Sequence, residues 1–274
     1  MQSNYFNWMK NIRSIIVVSS GKGGVGKSTI AANLAISLSN RNQKVWLLDA
    51  DIYGPSIPTL LNIHEQPKIS EDRKILPFEK FNIKSMSIGN LIPKDKPVIW
   101  RGTMVVKALN QLLTDVKWGN LDILVIDLPP GTGDVQLSLS QNIEINGAVV
   151  VSTPQEVSLV DVRRAINMFK RVNINIIGII ENMSYFISNG EKKFVFGKEG
   201  VKKESISQNL NFLGQIPISE EISECSDKGI PFTSETSKNP ELLNKFNEIC
   251  EKIITNLKNP SENKIKNVEI EVEE

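Results

Sequence analysis

A chain of 274 residues with 40% hydrophobic content has room for one large α/β domain or two small ones, and can bury a core without covalent staples. Its 32 Lys and Arg balance 31 Asp and Glu, which gives no electrostatic case for a nucleic-acid partner or an anionic membrane. Two cysteines are far from a secreted disulfide framework, and the apolar run before the first glycine motif is too short for a signal core or a membrane span, so a soluble cytoplasmic protein is expected.

Residues 1–13 read as an N-terminal arm. The β-branched run Ile15–Val18 is the first predicted strand, and it feeds directly into Gly21-Lys22-Gly23-Gly24-Val25-Gly26-Lys27-Ser28-Thr29. Gly21-x4-Gly26-Lys27-Ser28 satisfies the Walker A pattern, with a strand before it and a helical pattern, Ser28–Asn40, after it. Glycines let backbone N–H groups converge on phosphate oxygens, and the positive end of the following helix points at the same anion. Lys27 supplies a point charge for the β- and γ-phosphates, and the Ser28 hydroxyl can ligate Mg2+. The expected ligand is Mg-ATP. Lys22 is not needed to cradle phosphate. The next strand, Val45–Leu48, ends in Asp49-Ala50-Asp51. Carboxylates at i and i+2 share one side of a strand and can both approach the phosphates. Asp51 is the better candidate to position an attacking water, Asp49 to hold a Mg2+-bound water.

The Pro- and charge-rich stretch from about Tyr53 to Lys96 is read as an insertion over the carboxyl edge of the sheet, with Ile83–Ile88 as one more strand. A helix follows at about Thr103–Asp115, and Ile123–Ile126 then delivers Asp127 in a Walker B pattern, a carboxylate that would hold Mg2+ through water. Leu128-Pro129-Pro130-Gly131-Thr132-Gly133-Asp134 is stiff on one side and free on the other, as a loop that senses a γ-phosphate must be. Helices are expected at Gln136–Asn142, Val157–Val172 and Lys202–Asn209, and strands at Ala148–Val151, Ile176–Ile180 and Phe212–Ile216. Continuous apolar runs separated by helices predict a doubly wound, mostly parallel sheet with helices on both faces. Glu181-Asn182 closes one of these strands, and an Asn amide suits the edge of an adenine.

From about Pro240 to Leu257 a stripe of Leu242, Phe246, Ile249, Ile253 and Leu257 faces a mixture of Glu and Lys. A membrane-surface helix wants a basic polar face, so this one is read as packing on the sheet. The ATPase domain is thus expected over 14–258, with 259–274 as a polar, flexible tail.

Lys22, beside Asp49 and Asp51, looks like the signature lysine of the deviant Walker A class, in which it reaches across a dimer to the partner's nucleotide. The chain as a whole resembles the Mrp/ApbC family of P-loop ATPases, relatives of MinD and of the nitrogenase iron protein. The residues that carry this are Gly21–Thr29, Asp49–Ser56, Trp100-Arg101-Gly102, Asp127–Asp134, Thr153-Pro154-Gln155, Glu181–Phe186 and Asp227–Pro231. The resemblance implies a homodimeric ATPase that carries iron–sulfur clusters to apoproteins, with Asn182 touching adenine; Lys22 joins Lys27 and Asp51 as the expected catalytic residues. The family's frequent N-terminal accessory domain is not expected, because the P-loop begins near the amino end.

One departure bears on the cluster. Most relatives follow Asn-Met-Ser-Tyr-Phe with a Cys-x-x-Cys pair, whereas this chain continues Phe186-Ile187-Ser188-Asn189-Gly190-Glu191-Lys192-Lys193. Serine and asparagine are poor iron ligands, so the cluster ligands are unknown. Cys225 and Cys250 read as buried small hydrophobes, and His64 has no ligand neighbours. Three other functions stay open. A MinD- or ParA-like positioning ATPase would want a basic tail or patch, a redox ATPase would want a cysteine after Walker B, and an assembly chaperone would keep the ATPase and bind no cluster.

Overall fold

The computed structural model describes residues 11–91, 102–234 and 239–258, with only the backbone at 102, 103 and 134. The strands are β1 (Ile12–Ser20), β2 (Val45–Asp49), β3 (Phe78–Lys80), β4 (Ile83–Ser87), β5 (Leu121–Asp127), β6 (Gly147–Ser152), β7 (Ile176–Glu181), β8 (Phe186–Ser188), β9 (Glu191–Lys193) and β10 (Phe212–Gln215). The helices are α1 (Lys27–Ser39), α2 (Ile57–Leu60), α3 (Gly102–Asp115), α4 (Asp134–Asn142), α5 (Glu156–Arg171), α6 (Gly200–Ser207), α7 (Glu220–Lys228) and α8 (Pro240–Lys258).

Eight strands form one sheet in the order β10-β7-β6-β1-β5-β2-β4-β3, parallel throughout except for the β3–β4 hairpin at one edge. Alternate residues of each strand enter opposite layers. Ile15 and Val17 pack with α3, α4 and α5, while Ile16 and Val18 pack with α1 and α8. Both faces being covered explains why the strands read as unbroken apolar runs. Each fully buried Leu, Ile or Phe contributes about 1.5–3 kcal/mol. Trp46 of β2 and Trp118, just before β5, close one end of the first layer with ring centroids 5.1 Å apart.

Helix α1 is buried on nearly every side, from Ile30 to Leu38, between the sheet and α8. Its alanines, Ala31, Ala32 and Ala35, allow that close approach, and the Asn33 carboxamide oxygen accepts from the Thr233 N–H at 2.9 Å. Helix α8 presents the expected stripe: Leu242, Phe246, Ile249 and Ile253 are buried and Leu257 partly so. Helix α5 carries Glu156 in its first turn and Lys170 and Arg171 in its last, matching the peptide dipole.

Several details differ from the sequence expectation. Strand β1 begins at Ile12, inside the expected arm, because Ile12 pairs with Leu121. In the described part of the 53–96 insertion, α2 packs against α7 at the carboxyl edge, and Ser87, Gly89 and Asn90 return there beside Asp49, Pro55 and Ile63. Ile69 and Ile75 pair with each other and Ile75 with Val116 after α3, and β3 then runs antiparallel to β4, turning at Phe81 and Asn82. Helix α2 and the small β8–β9 hairpin have no strong periodic signal and were not expected. Trp100, Arg101 and the tail 259–274 lie outside the described residues. Among the described residues no helix is long and apolar enough to cross a membrane.

Candidate nucleotide site

Strands β1, β2 and β5 are neighbours in the sheet, so their carboxyl ends bring the glycine loop, Asp49 to Asp51 and Asp127 to one place. The loop is fixed from below by the Gly131 N–H donating to the Ser20 carbonyl at 2.8 Å and by the Ser20 hydroxyl donating to the Lys22 carbonyl at 2.9 Å. Gly26 has φ 79° and caps α1, and a Cβ there would collide with the Asn182 amide nitrogen. Both conditions demand glycine. A Cβ on Gly21 would likewise meet the backbone of Asp161 in α5.

Lys27, 6% exposed, is the centre of the charge arrangement. Its Nζ lies 2.6 Å from Asp127 Oδ1, 3.3 Å from Asp51 Oδ2 and 3.3 Å from the Ser28 hydroxyl. Asp127 is fully buried, and burial raises its pKa despite the opposing pull of the Lys27 ammonium. Its Oδ2 is a buried oxygen without a hydrogen-bond partner among the described residues. Asp49 is also fully buried. Desolvation first, and the neighbouring Asp127 charge second, push it up to about 7. Its oxygens accept from the Ser87 hydroxyl (2.8 Å), the Asp51 N–H (3.1 Å) and the Ile57 N–H (3.2 Å). Asp49 therefore fixes the loop that carries Asp51, whose Oδ1 accepts from the Gly54 N–H at 3.3 Å.

A cleft of about 510 Å³ opens above this group, lined by Lys22, Gly23, Gly24, Gly26, Lys27, Ser28, Thr29 and Asp51. The free orientation of backbone N–H groups, a lysine and a helix N-terminus in one concavity suits a polyphosphate. A hydroxyl and a buried, unpartnered carboxylate oxygen are hard donors of the kind Mg2+ takes, so Ser28 and Asp127 fit that ion. Val25 is buried below the loop, and Asn182 is 7% exposed with its amide nitrogen donating to the Val25 carbonyl at 2.8 Å.

Sequence reasoning missed Ser87, the end of α7 and α2. Ser226 and Asp227 join Thr59, Leu60 and Pro130 in the cleft wall. The Gly229 cap that ends α7 packs against Asn62 and Thr59 too closely to admit a Cβ. A polar Ser87 closing an apolar strand beside Asp49 was the available signal.

The cysteines are not gathered at this site. Cys225 is half-buried on α7 and Cys250 is buried on α8, where burial pushes its thiol up to about 11. The segment 186–193 folds as the β8–β9 hairpin, turning at Asn189 and Gly190, both at positive φ. Among the described residues no group of three or more His, Cys, Asp or Glu could hold a metal ion.

Residues 11–254 match the sequence model of a family described as ParA, the NUBPL iron-transfer P-loop NTPases. The chain belongs to this family. The Arabidopsis thaliana iron-sulfur protein required for NADH dehydrogenase, mitochondrial, is 45% identical over 259 residues, covering 93% of this chain and 82% of that one. The iron-sulfur cluster carrier protein of Aquifex aeolicus is 54% identical over 224 residues, 80% of this chain and 62% of the relative. Among solved structures, an Archaeoglobus fulgidus nucleotide-binding protein in complex with ADP superposes with a TM-score of 0.73 at 36% identity, over 84% of this chain and 91% of that chain. The Pyrococcus furiosus cell division ATPase MinD shares the fold, with a TM-score of 0.66 at 21% identity over 89% and 99% of the two chains. The Walker A pattern of this chain, Gly21–Thr29, lies on the cleft described above.

Proposed function

We propose that this chain is a cytoplasmic, ATP-hydrolysing iron–sulfur cluster carrier or assembly factor that works as a homodimer and delivers clusters to apoproteins. The observation that carries the ATPase part is the position of Lys27 between Asp127 and Asp51 under a glycine loop. The iron–sulfur part is supported by the names of relatives 45–54% identical to it.

On this reading the loop N–H groups and Lys27 bind the triphosphate, Lys27 exchanging its carboxylate partners for phosphate oxygens. Ser28 would hold Mg2+ directly, with Asp127, and Asp49 beside it, holding its waters. The ion, when bound, supplies charge neutralisation to the β- and γ-oxygens. Asp51, tied to the Gly54 N–H, orients the attacking water. Lys22 of one subunit acts on the partner's nucleotide as a charge supplied in trans. Asn182 contacts the adenine. Hydrolysis then reshapes the loop after Asp127 and the Asp51–Leu60 segment.

A second reading is favoured by the β8–β9 hairpin, which has no cysteine where the family resemblance leads one to expect a pair. In it the chain keeps the ATPase cycle and assists assembly without holding a cluster itself. Phosphate release from ATP by the purified protein tests the common core. A protein that neither binds nor hydrolyses Mg-ATP would sink both readings, and anaerobic cluster reconstitution distinguishes them.

A further inference from the structure

Asn182 sits at a corner held from both sides. Its own N–H donates to the Ser152 carbonyl at 2.8 Å, and the Ser184 N–H donates to Ile216 at 3.0 Å. Between them Met183 takes φ 54°, a left-handed conformation uncommon for a residue other than Gly, Asn or Asp. This corner drives the Asn182 carboxamide under the glycine loop. There Nδ2 donates to the Val25 carbonyl at 2.8 Å in a buried setting, 157 positions away in sequence.

The target is a peptide unit, and that gives the contact a consequence. In a planar trans peptide the C=O and the following N–H point in opposite directions. Holding the Val25 carbonyl toward Asn182 therefore aims the Gly26 N–H away from Asn182. Gly26 is one of the residues that line the cleft. The fit is tight, because a Cβ on Gly26 would strike Asn182 Nδ2 and approach Met183 Cε to 3.7 Å.

We propose that Asn182 is a positioning residue for the phosphate-binding loop: its amide donor locks the Val25–Gly26 peptide so that the Gly26 N–H faces a phosphate oxygen. This role is separate from any contact between its oxygen and a nucleobase. It rests on the reading of Gly21–Thr29 as the nucleotide loop.

The test compares ATP with inorganic tripolyphosphate, which has no base, both with Mg2+, on the full chain. In Asn182→Ala tripolyphosphate should bind about fivefold to tenfold more weakly, since one buried hydrogen bond is lost, and ATP at least as much, because the adenine contact goes with the same side chain. Asn182→Asp should be worse, because an acceptor then faces the Val25 carbonyl oxygen. Weaker ATP binding with tripolyphosphate unchanged would make Asn182 a base contact only and overturn the proposal. Hydrogen exchange without ligand gives a second arm. The Gly26 amide of Asn182→Ala should exchange faster than in wild type while Ile177–Ile180 in β7 keep wild-type rates. Unchanged Gly26 exchange, or acceleration spread through β7, would also overturn it. Should wild type bind neither ligand, the nucleotide reading fails, and the exchange arm still decides whether the brace exists.

Discussion

Asp49 and Asp127 are register partners at the ends of β2 and β5, yet their carboxylates are held by different parts of the chain. Asp127 is paired with Lys27 at 2.6 Å, whereas Asp49 turns to Ser87 and to the N–H groups of Asp51 and Ile57. Two buried carboxylates this close oppose each other's ionisation, and burial raises both. The division of partners separates their work. Asp127 keeps one buried oxygen unpartnered among the described residues, and Asp49 braces the loop through which Asp51 and α2 reach the cleft.

Lys27→Ala is expected to lower ATP turnover by about 100-fold or more, because the charge facing the γ-phosphate is lost where solvent cannot replace it. Breaking a buried pair by removing one partner costs about 3–5 kcal/mol unless a carboxylate takes up a proton, so a melting curve accompanies the assay. Phosphate release within a few-fold of wild type in the folded variant would refute the assignment.

Lys22 is half-buried on the cleft wall and carries the second positive charge of the loop. Lys22→Ala should leave ATP affinity within several-fold of wild type, since the loop amides and Lys27 remain, while the hydrolysis rate falls much further. Equilibrium binding and single-turnover rates read the two effects separately. Equal losses in both would place Lys22 in the ground-state site of its own subunit.

Much of this was legible in the sequence for a physical reason. Parallel strands covered on both faces must be continuously apolar, so Ile15–Val18, Val45–Leu48 and Ile123–Ile126 announced themselves, and polar residues closing such runs, Asp49 and Asp127, pointed to the site. Elements that lack periodicity were not legible. Helix α2 has four residues, and β8 and β9 three each, which is too short for a pattern. The contacts of Ser87 with Asp49 and of Asn182 with Val25 join residues 38 and 157 positions apart and follow only from strand order.

The two thiols should differ in reactivity. Burial pushes Cys250 up to about 11, so the folded protein holds it neutral at pH 8. Because the folded-state value is raised, the stability of the neutral thiol is full below about pH 9 and is lost as pH rises toward 11. Iodoacetamide at pH 8 should label Cys225 first, and in Cys225→Ser incorporation should begin only with denaturant. Rapid labelling of Cys250 in the folded Cys225→Ser variant, read by mass spectrometry, would contradict its buried place on α8 against Leu34 of α1.

The last expectation concerns the cluster. A cluster bridging two subunits on a two-fold axis takes two thiolates from each at short spacing, because four ligands converge on one small body. The hairpin 186–193 supplies none, and Cys250 is sealed in the core on the buried face of α8. Only Cys225, half-buried on α7, is placed to contribute a sulfur without unfolding, and one per subunit leaves two positions for other ligands. Anaerobic reconstitution with iron and sulfide should therefore leave, after gel filtration, far less than one cluster per dimer. Near-stoichiometric iron and sulfide on a dimer, with visible charge-transfer bands that vanish in Cys225→Ser, would show that a stable cluster forms after all, on that residue. Iron retained when both cysteines are replaced would be adventitious. Colourless protein that still hydrolyses ATP would favour the assembly factor over the carrier, since the ATP-driven switch would then act on clusters held by other proteins.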